Sequence, residues 1–149
     1  MKARATTALA SRLLAAILLS AAHVAWGVEC GVSAQSVAFG TYDPLSNQDL
    51  DGTGEISVIC DAPATYSIAL SPGRAGYFPR AMVDGTHELF YNLYTDATRT
   101  TVWGDATGGT ASVTATGIGE HHTVYGRIPA RQNAFVGTYA DTVVVTLEF

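Results

Sequence analysis

The chain has 149 residues, 48 % hydrophobic and only 14 % charged, with a formal net charge of −5. Its three N-terminal basic residues, Lys2, Arg4 and Arg12, leave five arginines, no lysine and thirteen acids beyond residue 27, a net of −8. So acidic and sparsely charged a chain excludes nucleic acid and anionic lipid as partners, because both need clustered Lys and Arg.

The chain begins with that positive stretch, and an apolar run of about ten residues follows from Leu13. The run is too short to span a bilayer but suits the core of a signal peptide. Ala25 and Gly27 are the small residues a signal peptidase reads, so residues 1–27 are expected to be removed before Val28. Glu29, directly before Cys30, is not the small residue that lipoprotein processing requires. The mature segment, residues 28–149, is one domain in length. No transmembrane segment is expected after cleavage. Cys30 and Cys60 are the only cysteines, and an exported chain makes a disulfide between them the default. Their spacing suits neither a zinc site nor a CxxC redox motif.

No stretch carries helical periodicity, and turn signals recur about every ten residues, the pattern of an all-β sandwich or barrel. Residues 32–39 read as a broken first strand, closed by Gly40-Thr41-Tyr42-Asp43-Pro44, with a polar loop through Gly54. Residues 55–60 alternate with Ile56, Val58 and Cys60 inward, and residues 65–70 with Tyr66, Ile68 and Leu70 inward. Residues 80–83 and 87–94 flank Asp84-Gly85, a dipeptide that favours a type I′ hairpin turn. Short strands are expected over 100–103, 112–116 and 123–128, the last stopped by Pro129. The final stretch has Val143, Val145, Leu147 and Phe149 on one face and Thr142, Val144, Thr146 and Glu148 on the other. This apolar strand runs to the last residue with no Pro or Lys to blunt it, a hazard unless something pairs with it. The sum is about eight or nine short strands, which two packed sheets could bury.

Candidate chemistry is thin. Asn47-Gln48-Asp49-Leu50-Asp51-Gly52 has oxygen ligands at alternate positions, like a calcium loop, but Gly54 and Val58 stand where an apolar residue and a bidentate Glu belong. His121 and His122 are adjacent, so a strand points them to opposite faces. Gly104-Asp105-Ala106-Thr107-Gly108-Gly109 lacks the lysine and helix of a phosphate loop. No Gly-x-Ser-x-Gly elbow occurs, and no pair of carboxylates is singled out for glycoside hydrolysis. The expectation is a non-enzyme without cofactor or metal. Phe90, Tyr94 and Trp103 are aromatic residues that either form a surface-binding face or pack into the second sheet.

A series of motifs resembles the spore coat protein U domain. It comprises Phe39-Gly40-Thr41-Tyr42-Asp43-Pro44, Gly54-x-Ile56-x-Val58-x-Cys60, Tyr91-Asn92-Leu93-Tyr94-Thr95-Asp96 and Val102-Trp103-Gly104-Asp105. Tyr125-Gly126-Arg127-Ile128-Pro129-Ala130 and Gly137-x-Tyr139-x-Asp141-Thr142-Val143 continue it in order over the mature chain. The resemblance implies an incomplete immunoglobulin-like antiparallel β-sandwich with an acceptor groove beside the C-terminal strand, lined by Val143, Val145, Leu147 and Phe149. It implies a subunit of a chaperone–usher pilus of a Gram-negative bacterium, or of a spore coat, exported through the periplasm to the surface. Its partners would be a periplasmic chaperone, an outer-membrane usher and other subunits, joined by donor-strand complementation.

Only Val28 and Glu29 would precede Cys30 after cleavage, a reach of about 7 Å, too little to donate a strand. The expectation is therefore a subunit that receives without passing on, in a terminal or tip-like position or a coat assembled otherwise. The alternative is a tip adhesin-like module for a glycan or abiotic surface, with Tyr94 and Trp103 as its candidate binding residues.

Overall fold

The computed structural model describes residues 27–149; the expected signal segment, residues 1–26 and its cleavage motif, lies outside the described residues apart from Gly27. Six strands follow in order: β1 (Cys30–Gln35), β2 (Leu50–Leu70), β3 (Arg80–Asp84), β4 (His87–Tyr94), β5 (Val113–Ile128) and β6 (Val145–Glu148). All named pairings are antiparallel, in the order β1-β2-β5-β4-β3, with β6 also on β2. The described residues contain no helix. The fold is all-β, as the sequence predicts.

The strand count differs from the sequence reading for one reason. Residues 55–60 and 65–70 are not two strands but parts of the 21-residue β2, which starts at Leu50 within the expected polar loop. Residues 112–116 and 123–128 likewise merge into the 16-residue β5 from Val113. The two long strands stay paired along their length, with a register shift between Ile59 and Ala64. Asp61, Ala62 and Pro63 have no β5 partner, so Pro63 removes no ladder bond. At Gly119, φ is +152° and an added Cβ would lie 2.4 Å from the Val58 carbonyl, so glycine lets the backbones close there. Breaker residues thus bend strands rather than end them, and one sheet curls over itself in place of two separate sheets.

The curl gathers Ile56, Val58, Tyr66, Ile68, Leu70 and Trp103 into one core, none more than 2 % exposed. Residues 100–103 form isolated bridges, Tyr94 to Val102 and Trp103 to Ala111, rather than a strand. Cys30 and Cys60 stand opposite each other on β1 and β2 and are joined by a disulfide. In the β3–β4 hairpin Asp84 pairs with His87, so the central residues are Gly85 and Thr86. Only Gly85 has positive φ, at 59°. Glycine at the first central position belongs to a type II′ turn, not the expected type I′.

Candidate functional site

β1 is bonded to β2 through one edge. Residues opposite each other in an antiparallel pair share a face, so Val32 lies beside Val58, and Ala34 beside Ile56, on the inner side. Val58 and Ile56 are 1 % and 2 % exposed, yet Val32 is 42 % exposed and Ala34 is exposed too. Among the described residues nothing covers the inner face of β1.

From Ala34, near the end of β1, the chain forms a lip that continues without ladder partners from Ser36 to Tyr42. Residues 37–39 lie flat on the sheet because Gly52, Gly54 and Gly126 leave room for them. A Cβ on Gly54 would sit 2.7 Å from the Gln35 carbonyl oxygen, and one on Gly126 2.6 Å from the Phe39 ring. The facing lip follows β5 from Pro129 and runs to Val145 at the start of β6, its cavity-lining part beginning at Ala134. It touches β3 where Val83 and Ala140 exchange backbone hydrogen bonds of 2.9 and 3.1 Å. Between the lips lie two cavities of about 370 and 530 Å³ that share Val37, Phe39, Met82 and Tyr139. Ile56, Leu70, Leu93 and Val124 line the smaller, and Leu89 and Ile128 the larger. Together they form an elongated apolar groove that opens onto the core.

Asp141 is the one charged residue lining either cavity among the described residues. Its carboxylate is committed elsewhere: Oδ2 accepts the Tyr91 hydroxyl at 2.7 Å, and Oδ1 accepts the N–H groups of Thr142 at 2.8 Å and Arg74 at 3.2 Å. Burial pushes the Tyr91 hydroxyl well above its usual range, and the Asp141 bond and charge push it further. Beside them Arg80 is 0 % exposed. Its guanidinium donates to the carbonyls of Ser71 and Trp103 and to Asn92 Oδ1, each at 2.8 Å, and lies 5.0 Å from the Tyr77 ring centre. The groove therefore offers an occupant apolar surface and backbone edges, with its one charged group already paired.

The residues expected in the groove divide. Val143 and Val145 line the smaller cavity. Leu147 is half-buried against the core, and Phe149 is 59 % exposed; neither lines a cavity. Residues 145–148 are also not an unpaired strand, because Val145 to Glu148 pair with Leu70 to Ser67 of β2. The first lip, the floor and Asp141 carried no sequence signal of a shared site, since they meet only through the curl of β2 and β5.

Of the candidate surface-binding aromatics, Trp103 is corrected. Trp103 is 1 % exposed and its Nε1–H donates to the Ile68 carbonyl at 3.0 Å, so it is a core residue. Tyr94 is half-buried, paired across β4 and β5 with Tyr125. Phe90 is 42 % exposed. The acidic stretch is occupied by arginine: Arg127 Nε bonds Asp51 at 2.8 Å and its Nη1 lies 3.4 Å from Asp49. The Arg127 bond holds the Asp51 carboxyl below its usual range. His121 and His122 do face apart, His121 to Glu55 at 3.0 Å and His122 to the Tyr66 hydroxyl at 3.1 Å.

The family profile of the Spore Coat Protein U domain matches residues 15–146. The chain belongs to that family. Protein U of Myxococcus xanthus is 36 % identical over 139 residues, which cover 84 % of this chain and 78 % of that protein. Among solved structures, the CsuC-CsuE chaperone-tip adhesion subunit pre-assembly complex from the archaic chaperone-usher Csu pili of Acinetobacter baumannii contains a similar chain. The similarity has a TM-score of 0.61 at 23 % identity, over 82 % of this chain and 40 % of that one. The minor tip subunit HdaB of the E. coli Hda pilus matches with a TM-score of 0.43 at 15 % identity. The match at a TM-score of 0.61 shows a shared immunoglobulin-like fold, and the family match extends into the segment read as a leader.

Proposed function

We propose that the protein is a secreted structural subunit of a surface fibre or coat, and that its groove receives a β-strand from a partner chain. The observation that carries this is the uncovered inner face of β1 above a finished core, with Val32 42 % exposed opposite Val58 at 1 %. A strand laid between the lips would pair with backbone edges on both sides and put alternate side chains into the two cavities, the logic of β-augmentation. The fold shared with a subunit from a chaperone-tip subunit complex supports a periplasmic chaperone as first occupant and an outer-membrane usher as the site of exchange. The same reading makes the mature domain residues 28–149, exported through the periplasm, and gives the protein no catalytic role.

Co-expression with a periplasmic pilus chaperone of the kind present in the Csu complex, followed by co-purification, tests this. Ala34 is an exposed lip residue, so Ala34→Arg should leave the fold intact and fill the groove with charge. Val143→Asp with Val145→Asp should act from the opposite lip. Both changes are expected to lower recovered complex at least about ten-fold. Undiminished capture of a folded Ala34→Arg chain would sink the proposal. With Trp103 in the core, the tip-adhesin alternative rests on the half-buried Tyr94 alone.

A further inference from the structure

Tyr42 stands where the two lips meet. Its hydroxyl donates to the Pro129 carbonyl at 3.0 Å and accepts the Gln132 N–H at 2.7 Å, joining segments 87 and 90 residues apart. Gln132 is anchored in turn. Its side-chain oxygen accepts the Phe90 N–H at 2.8 Å, and its side-chain nitrogen donates to the Phe90 carbonyl at 2.7 Å. That amide pairs with β4 as a residue of a neighbouring strand would, close to where β5 leaves β4 at the Asn92–Arg127 pair. At the other end, no hydrogen bond among the described residues links residues 34–37 to residues 139–145. The lips are tied at Tyr42 and separate elsewhere.

Resting on the strand-acceptor reading, we propose that Tyr42 is the stop of the groove, the residue that fixes how far an inserted strand runs and hence its register. A strand advances only where the lips are separate. To pass Tyr42 it must break both bonds of the hydroxyl and free the Gln132 segment. Register matters because a slip of one residue turns every side chain to the other face. An apolar slot alone discriminates poorly; a fixed end converts it into one that seats a given side chain over a given part of the floor. From Ala34 to Tyr42 the first lip has nine residues, about 30 Å when extended. The partner strand therefore has about nine paired residues, and the apolar side chain nearest its end sits over Leu89 and Ile128 in the larger cavity.

The test uses synthetic peptides of alternating valine and threonine, lengthened pair by pair at either end and titrated onto the purified protein. With the natural chain, affinity should climb and then level off near about nine residues. With Tyr42→Phe, which keeps the ring, longer peptides should go on gaining, roughly ten-fold for each further buried valine. Gln132→Ala keeps the backbone N–H that Tyr42 uses and should keep the plateau. The same plateau in a folded Tyr42→Phe chain overturns the proposal, as does a plateau lost in Gln132→Ala alone. Should Tyr42→Phe not fold, amide exchange at Gln132 in the natural chain decides: protection should persist with the longest peptide bound, and its loss shows a strand passing the latch. Failure of every peptide to bind the natural chain instead overturns the strand-acceptor reading, an outcome separate from any shift of the plateau.

Discussion

Arg80 and Tyr91 give the floor of the groove its shape. Arg80 has no carboxylate within ion-pair distance among the described residues; its charge is held by two backbone carbonyls, the Asn92 side chain and the face of Tyr77. Arg80→Met would match the length of the stem but leave these acceptors without a donor, each worth about 1–3 kcal/mol. A loss of roughly 3–5 kcal/mol in urea unfolding is expected, whereas a loss below about 1 kcal/mol would mean water replaces the guanidinium without cost. Tyr91 adds a pH dependence. Its hydroxyl is raised above its ordinary value of 10.0 by burial and by Asp141. The folded state thus favours the neutral phenol; that stability is complete below about pH 10 and is lost as pH rises beyond it. Tyr91→Phe should be less stable than the natural chain at neutral pH and should flatten the alkaline decline; equal declines in both would assign it to other groups. Neither residue was legible in advance. Arg80 reads as the start of a hairpin strand, and nothing local says that its acceptors come from residues 71, 92 and 103.

Strand existence was legible, but strand continuity was not. The alternation of Ile56, Val58, Cys60 and of Tyr66, Ile68, Leu70 correctly marks the inward face on both sides of Pro63. The expected strands nevertheless stop at residues 60 and 116, because a local signal cannot distinguish a bend with continued pairing from a turn. The groove was similarly half visible. Val143 and Val145 declare an apolar face, but the opposing lip is made by packing residues 37–39 onto glycines of two other strands. Gly54→Ala tests that packing. The added methyl would meet the Gln35 backbone at 2.7 Å, and backbone can yield only by moving the lip. A cost of about 1–3 kcal/mol is expected, with weakened strand capture beyond what stability explains. Unchanged capture would show that lip position is not critical. The disulfide works at the other end of the same element. Replacing Cys30 and Cys60 by Ala should cost about 3–4 kcal/mol by loop entropy and free the start of β1, measurable as faster amide exchange over Cys30–Gln35.

For the molecule as a whole, a curled sheet with one uncovered inner face has a stability that depends on what fills it. The core beneath β1 is closed within the chain, Val58 and Ile56 being 1 % and 2 % exposed. Yet Val32 and the half-buried lip residues Val37, Phe39, Val143 and Val145 remain partly in water, where apolar surface costs roughly 25 cal/mol per Å² relative to burial. An occupant that binds the folded chain and not the unfolded one must stabilise it by mass action. At a hundred times its dissociation constant a peptide strand should add about 2.7 kcal/mol. For a domain of this size that moves the urea midpoint upward by roughly 1–2 M. Ala34→Arg should abolish the shift while leaving the unliganded midpoint within about 0.5 kcal/mol of the natural one, as expected of an exposed position. A shift that survives Ala34→Arg would locate the binding surface elsewhere, for instance on the exposed Ile59 and Ile118 of the outer bend. A midpoint insensitive to every strand would remove the link between the groove and assembly. On the strand-acceptor reading, a chain that gains this much on filling its groove is stabilised by whichever strand arrives first, and a second strand would displace the first only if it leaves fewer of the lip residues in contact with water.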